Sequence, residues 1–222
     1  SSHIKDLEIL NGVFGRLSRD RLGKFQTVLC GYDLRGTMTE MDQKTGQQKQ
    51  RPILPHESVW YKYEQIFTDN YNIVDGEYKK ELLEFKKKKI SGDLDSNYRR
   101  VWTKPITTYA SNYNFFDISI APLKEHRFNR VKSQLKVIEA GFHKKALIVQ
   151  DFGPYKVDCI NAFEKGGVIN NNGNSLMVDT TKNHKLWYKH IKRLIDSPQM
   201  VTDLGEKLYE TVYPRYALNT VT

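Results

Sequence analysis

The chain has 222 residues, of which 39% are hydrophobic and 12% aromatic, enough for one substantial core and too many for an intrinsically disordered chain. Its net charge of +9 favours anionic partners: nucleic acid, lipid headgroups or phosphorylated small molecules. A merely solvated basic surface accounts for the same total.

Leu7, Leu10, Phe14 and Leu17 recur at helical spacing, so an amphipathic helix is expected over residues 5–21. The β-prone run Phe25 to Cys30 follows, ended by a loop at Gly31-Tyr32-Asp33. Residues 35–52 are polar and read as an exposed excursion. Val59, Trp60, Tyr63, Ile66 and Phe67 form the stripe of a second helix. A short strand is expected at 72–74, then a third helix marked by Tyr78, Leu82 and Phe85, which runs into Lys86–Lys89. Residues 90–98 read as a loop.

Pro105 suits the first turn of a helix carrying Ile106, Tyr109 and Tyr113. Strands are expected at Phe116–Ile120, Ala146–Val149 and Leu176–Val178, with a helix on Leu135, Ile138 and Phe142 between the first two. Two helices, separated at Pro198, close the sequence. Strands alternating with helices predict a single α/β domain: a mostly parallel sheet flanked by helices in three layers. In such sheets ligands bind where strand carboxyl ends meet helix amino ends.

Cys30 and Cys159 stand far apart, without C-x-x-C spacing, and no Asn-x-Ser/Thr sequon occurs. A reducing, cytoplasmic setting is the simplest expectation. The first residues lack the apolar segment of a secretory leader, and the run Phe115–Leu123 is too short to span a bilayer.

The most informative stretch runs from Phe116 to Val149, read as strand, basic loop, helix and strand. A helix here would align Lys132, Lys136 and Glu139 on one stripe, with Lys132 and Glu139 roughly 10 Å apart along the axis. That separation suits a nucleoside diphosphate. Lys132, the Ser133 hydroxyl and the helix amino end can hold phosphate, while Glu139 can accept from ribose hydroxyls. From spacing alone, an ordinary amphipathic helix with a wet Lys–Glu face is the better account.

This segment, with Ala121-Pro122, Asn129-x-x-Lys132-Ser133 and Leu135-Lys136-x-x-Glu139-Ala140-Gly141, resembles the donor-binding core of family 4-like GT-B glycosyltransferases. Ser1-Ser2-His3 resembles the turn after that domain's first strand, where Ser and His approach the donor phosphates. Trp102-Thr103-Lys104-Pro105 resembles the segment flanking the nucleobase, and Gly173-Asn174-Ser175-Leu176-Met177-Val178 with Trp187 resembles the closing strand and helix. The resemblance implies a Rossmann-like fold, the C-terminal half of a GT-B transferase. It implies that Glu139 binds ribose, that Lys132 and Ser133 hold phosphate, and that Asn129 shapes the loop or meets the donor sugar. His3, Thr103 and Lys104 would also line the donor site. The implied reaction transfers a sugar from a nucleotide diphosphate without a metal or other cofactor. Val131 stands where the family often has the first glutamate of E-x7-E, so the role of that glutamate is not carried over. The resemblance also implies that the chain opens after the first strand, without its N-terminal acceptor domain, so the isolated chain is expected to be inactive.

Asp93-Leu94-Asp95 has the D-x-D form of a metal site, but no strand leads into it and chance is the better explanation. No dinucleotide or P-loop glycine motif occurs, and the six histidines lack metal spacing. His126, His143, His184 and His190 are expected at the surface or core boundary. Lys86–Lys89 suits a solvated helix end, with peripheral docking to anionic membrane as a second use. Two alternatives stay open: a basic nucleic-acid-binding module built on the tyrosines and cations, and a non-catalytic nucleotide-binding homologue.

Overall fold

The computed structural model describes residues 3–33, 35–42, 44–54, 57–68, 98–181 and 183–218. The expected strand at 72–74, the helix around Tyr78–Phe85, Lys86–Lys89 and Asp93-Leu94-Asp95 lie outside them.

The first expected helix is split. Helix α1 (Ile4–Leu7) runs into a 3-10 turn (Glu8–Leu10), and α2 spans Val13–Asp20. Gly12, in the left-handed region at φ 80°, makes the break. The predicted stripe still faces inward: Leu10, Phe14 and Leu17 are buried. Strand β1 (Thr27–Tyr32) pairs in parallel with β4 (Tyr98–Trp102). The polar excursion is an exposed antiparallel hairpin of β2 (Thr37–Met41) and β3 (Gln48–Pro52). Helix α3 (Val59–Thr68) lies where its stripe predicts.

Strands β5 (Ile118–Ala121), β6 (Ala146–Gln150) and β7 (Leu176–Val178) form a second parallel sheet in the order β5-β6-β7. Short α4 (Arg127–Arg130) and α5 (Leu135–Phe142) join β5 to β6, and α6 (His184–Asp196) and α7 (Pro198–Tyr216) follow β7. The Asn183 side chain caps α6 by accepting from the Leu186 N–H at 3.0 Å, and Pro198 occupies the first turn of α7.

Side chains alternate along β6 between two cores. Ala146 and Ile148 join Leu176, Val178, Leu29 and Tyr98 beside Phe14, Phe67 and Trp187. Leu147 and Val149 join Met177 beside Val137, Leu208 and Val212. Alternation with period two places these cores on opposite faces. The chain is therefore α/β, with parallel strands flanked by helices, as expected. It differs in having two small parallel sheets where one larger sheet was predicted.

Three corrections concern local structure. Residues 109–115 form a 3-10 helix and Ile106 is 85% exposed, so no amphipathic α-helix starts at Pro105. Helix α5 begins only at Leu135, so Lys132 precedes it and does not share a helical stripe with Glu139. His190 is 4% exposed and not a boundary residue, because α6 packs it against β7, where its Nε2 lies 3.3 Å from the Met177 carbonyl oxygen.

Candidate functional site

Three of the seven predicted site residues meet on Asp6, a residue that sequence reasoning passed over. Asp6 is buried at the end of the chain's first turn. Its Oδ1 accepts from the Lys124 backbone N–H at 2.9 Å and from Asn129 Nδ2 at 3.0 Å. Its Oδ2 faces Lys132 Nζ at 3.3 Å and His3 Nδ1 at 3.8 Å. Asn129 Nδ2 also donates to the Lys124 carbonyl at 2.7 Å. Asn129 is thus a brace between the β5–α4 loop and α1, with its amide hydrogens already committed. A short acidic turn next to a His gave no periodic signal by which Asp6 could have been found.

An open cleft of about 680 Å³ adjoins this hub, lined among others by Arg130, Lys132, Gln134, Asp151 and Lys156. It sits past the carboxyl ends of β5 and β6 and before the start of α5, the position where α/β sheets take ligands. No side chain caps α5 at its amino end, and Ser133 is exposed just before it. Each cation lining the cleft faces a carboxylate. Arg130 meets Glu125 at 3.1 Å and Lys156 meets Asp151 at 2.9 Å, while Lys132 is held by Asp6. The first two pairs are solvated, and such pairs hold by about 0–1 kcal/mol. Their cations are therefore exchangeable toward an incoming anion, whereas Lys132 is pinned in place by a buried partner. Burial, with the Asp6 charge second, pushes the nearby Tyr155 hydroxyl up to about 12.

Glu139 belongs to a different neighbourhood. Its Oε1 accepts from the Tyr109 hydroxyl, and its Oε2 accepts from the Tyr113 hydroxyl at 2.8 Å and from Lys136 Nζ at 2.9 Å. Burial opposes its charge, but the hydrogen bonds from Tyr109 and Lys136 outweigh it and hold the carboxyl below its ordinary range. The reciprocal effect pushes Tyr109 up to about 12, chiefly through its hydrogen bond to Glu139. Glu139 thus has three donors already in place before any ligand arrives.

Thr103 and Lys104 lie on this second side. The Thr103 N–H donates to the Tyr32 carbonyl at 2.9 Å, fixing the segment to the end of β1. Lys104 Nζ donates to Ser111 Oγ at 2.7 Å and sits over the Phe115 ring. Both residues line a cavity of about 470 Å³ together with Tyr109, Tyr113 and Lys136. Of the predicted residues, Lys132 lines the cleft, with His3 and Asn129 joined to it through Asp6 and Ser133 next to it in the chain; Thr103 and Lys104 line the cavity together with Tyr109, Tyr113 and Lys136, the three donors to Glu139.

No protein-family model matches the chain, and no curated protein matches it. Among the described residues, no group of three His, Cys, Asp or Glu side chains could hold a metal ion. None of the described helices is long and apolar enough to cross a membrane.

Proposed function

We propose that the chain is the nucleotide-sugar-binding half of a glycosyltransferase with the Rossmann-like, family 4-like GT-B architecture. The supporting observation is the convergence of Asn129, Lys132 and His3 on Asp6, beside a cleft at the strand carboxyl ends. In this reading the donor diphosphate enters the cleft before α5. Lys132 and Ser133 meet it, and Arg130 and Lys156 exchange their solvated carboxylates for phosphate oxygens. Charge developing on the leaving diphosphate would be met by the pinned Lys132, the two exchangeable cations and the amino end of α5, without a metal. Thr103, Lys104 and Glu139 would take the nucleoside. For Glu139 to accept from a ribose, one of its three present donors must give way.

The acceptor, glycan or lipid-linked, would be presented by a separate domain, and the chain would work in the cytoplasm, against the inner face of the membrane where the acceptor is a lipid. Thermal stability with UDP, GDP, ADP, CDP and a short RNA, at low and moderate salt, tests the reading. Selective stabilisation by one diphosphate that survives salt supports it. Stabilisation by RNA alone, vanishing as salt rises, replaces it with a nucleic-acid module.

A further inference from the structure

Two stretches of chain line the cleft beside Asp6: residues 125–134, which lead into α5, and residues 151–157, which follow β6. Most of the second stretch is a 3-10 turn (Gly153–Val157). One side chain from the last turn of α7 ties the ends of both together. The Tyr216 oxygen accepts from Gln134 Nε2 at 3.0 Å, and its hydroxyl donates to Asp158 Oδ2 at 2.8 Å. Gln134 closes the first stretch, and Asp158 directly follows the second.

The polarity of this bridge is set by Asp158. Its side chain is 0% exposed, and its other oxygen, Oδ1, takes Arg215 Nη1 at 2.5 Å. A carboxylate paired with a guanidinium only accepts, so Tyr216 gives it the phenolic hydrogen. The Tyr216 oxygen is left as an acceptor, and Gln134 must turn Nε2 toward it. That fixes the orientation of the Gln134 amide. Asp158 is anchored in turn: its carbonyl accepts from Asn174 Nδ2 at 2.9 Å, which also donates to Thr211 Oγ1 of α7 at 2.9 Å. The bridge thus has a buried, fixed foot and a head at the lip of the cleft. With its only hydrogen spent on Asp158, Tyr216 has none to offer an anion.

We infer that Tyr216, held by Asp158, is a positioning residue of the cleft, setting the spacing between the two lining stretches. The inference rests on the reading of the cleft as a diphosphate site, and it adds a residue 82 positions beyond Gln134. A pyrophosphate group gains from meeting Lys132 of the first stretch and Lys156 of the second at once. Spacing fixed in advance spares it the cost of ordering the two. Orthophosphate is small enough to be held by either stretch alone, so the spacing matters less to it.

Calorimetric titration of the full chain with inorganic pyrophosphate and with orthophosphate tests the inference. Tyr216→Phe keeps the ring and deletes both bonds. It is expected to weaken pyrophosphate about tenfold while changing orthophosphate less than about twofold. Gln134→Ala opens the bridge from its other end, at a half-buried position, and should show the same selective loss whether or not the Tyr216 variant folds. Tyr216→Phe added to Gln134→Ala should then cost nothing further. Unchanged pyrophosphate affinity in either variant, equal losses for the two anions, or losses that add in the double variant would overturn the inference and leave the diphosphate reading standing. Failure of the parent chain to bind pyrophosphate would overturn that reading and the inference with it.

Discussion

The Arg100 guanidinium grips the Glu64 carboxylate through two hydrogen bonds, Nε to Oε1 at 2.8 Å and Nη2 to Oε2 at 3.0 Å, with the side chains 3% and 1% exposed. The Tyr98 hydroxyl adds a third bond to Oε1 at 2.6 Å, and the Tyr32 ring lies 3.9 Å from the guanidinium. This pair binds α3 to β4 inside an otherwise apolar layer. Removing one partner leaves an uncompensated buried charge. Glu64→Ala should therefore cost about 3–5 kcal/mol, measured by urea unfolding, while the joint replacement Glu64→Leu with Arg100→Met should recover most of that loss. A single variant within about 1 kcal/mol of the parent would contradict the account.

Burial, reinforced by Arg193 and Lys189, lowers the His190 imidazole to about 4. The unfolded value is near 6.5, so between those limits the unfolded chain binds more protons. Stability is then full above pH 6.5 and declines with acid until about pH 4. The loss attributable to this residue is about 3 kcal/mol at most. His190→Gln keeps a donor for the Met177 carbonyl and should flatten that part of the stability profile, measured by denaturant midpoints across the pH range.

Gly205 lets α7 cross the turn after α5 at close range. A Cβ there would stand 2.2 Å from the Lys144 carbonyl oxygen, a backbone atom that cannot swing aside. Lys144 itself holds a positive φ of 53°. Gly205→Ala is expected to cost about 1–3 kcal/mol through forced displacement of the helix. A thermal midpoint equal to the parent's would show that the crossing relaxes without strain.

For Glu139 the ligand and scaffold roles predict different results. If it serves ribose, Glu139→Ala weakens nucleotide binding by about 1–3 kcal/mol, and Tyr109→Phe, which frees Oε1, leaves affinity unchanged or improved. If it serves only the scaffold, both variants lower the melting temperature and neither alters nucleotide affinity. Calorimetric titration beside thermal denaturation separates the two.

Most elements were legible because their apolar spacing is simple: the stripes of α2, α3 and α6, and the continuous run of β6. Strand β4 was not, because Tyr98-Arg99-Arg100-Val101-Trp102 carries two cations. Arg100 is buried by virtue of Glu64, a partner 36 residues away that no local pattern reveals. The spacing carries α5 back to Lys132, whereas the helix begins at Leu135, for a related reason. Lys132 has helix-compatible chemistry, but its ammonium is drawn to Asp6, 126 positions distant. Site residues tied together by such long-range pairs leave no periodic trace. Asn129 and Lys132 were therefore nameable from the sequence, while their shared anchor and the exchangeable Arg130 and Lys156 were not.

The one-sided join between the two sheets also bears on how the molecule comes apart. Leu29 and Tyr98 share a core with Ile148 and Leu176 on the face covered by α2, α3 and α6. The opposite core takes its strand residues from β5, β6 and β7. With no described hydrogen bond crossing from β1 to β5, the β1–β4 ladder is a leaf fastened along one side. Under load or mild denaturant it should peel first as a cooperative unit, leaving the three-stranded body with α5 and α7 still folded.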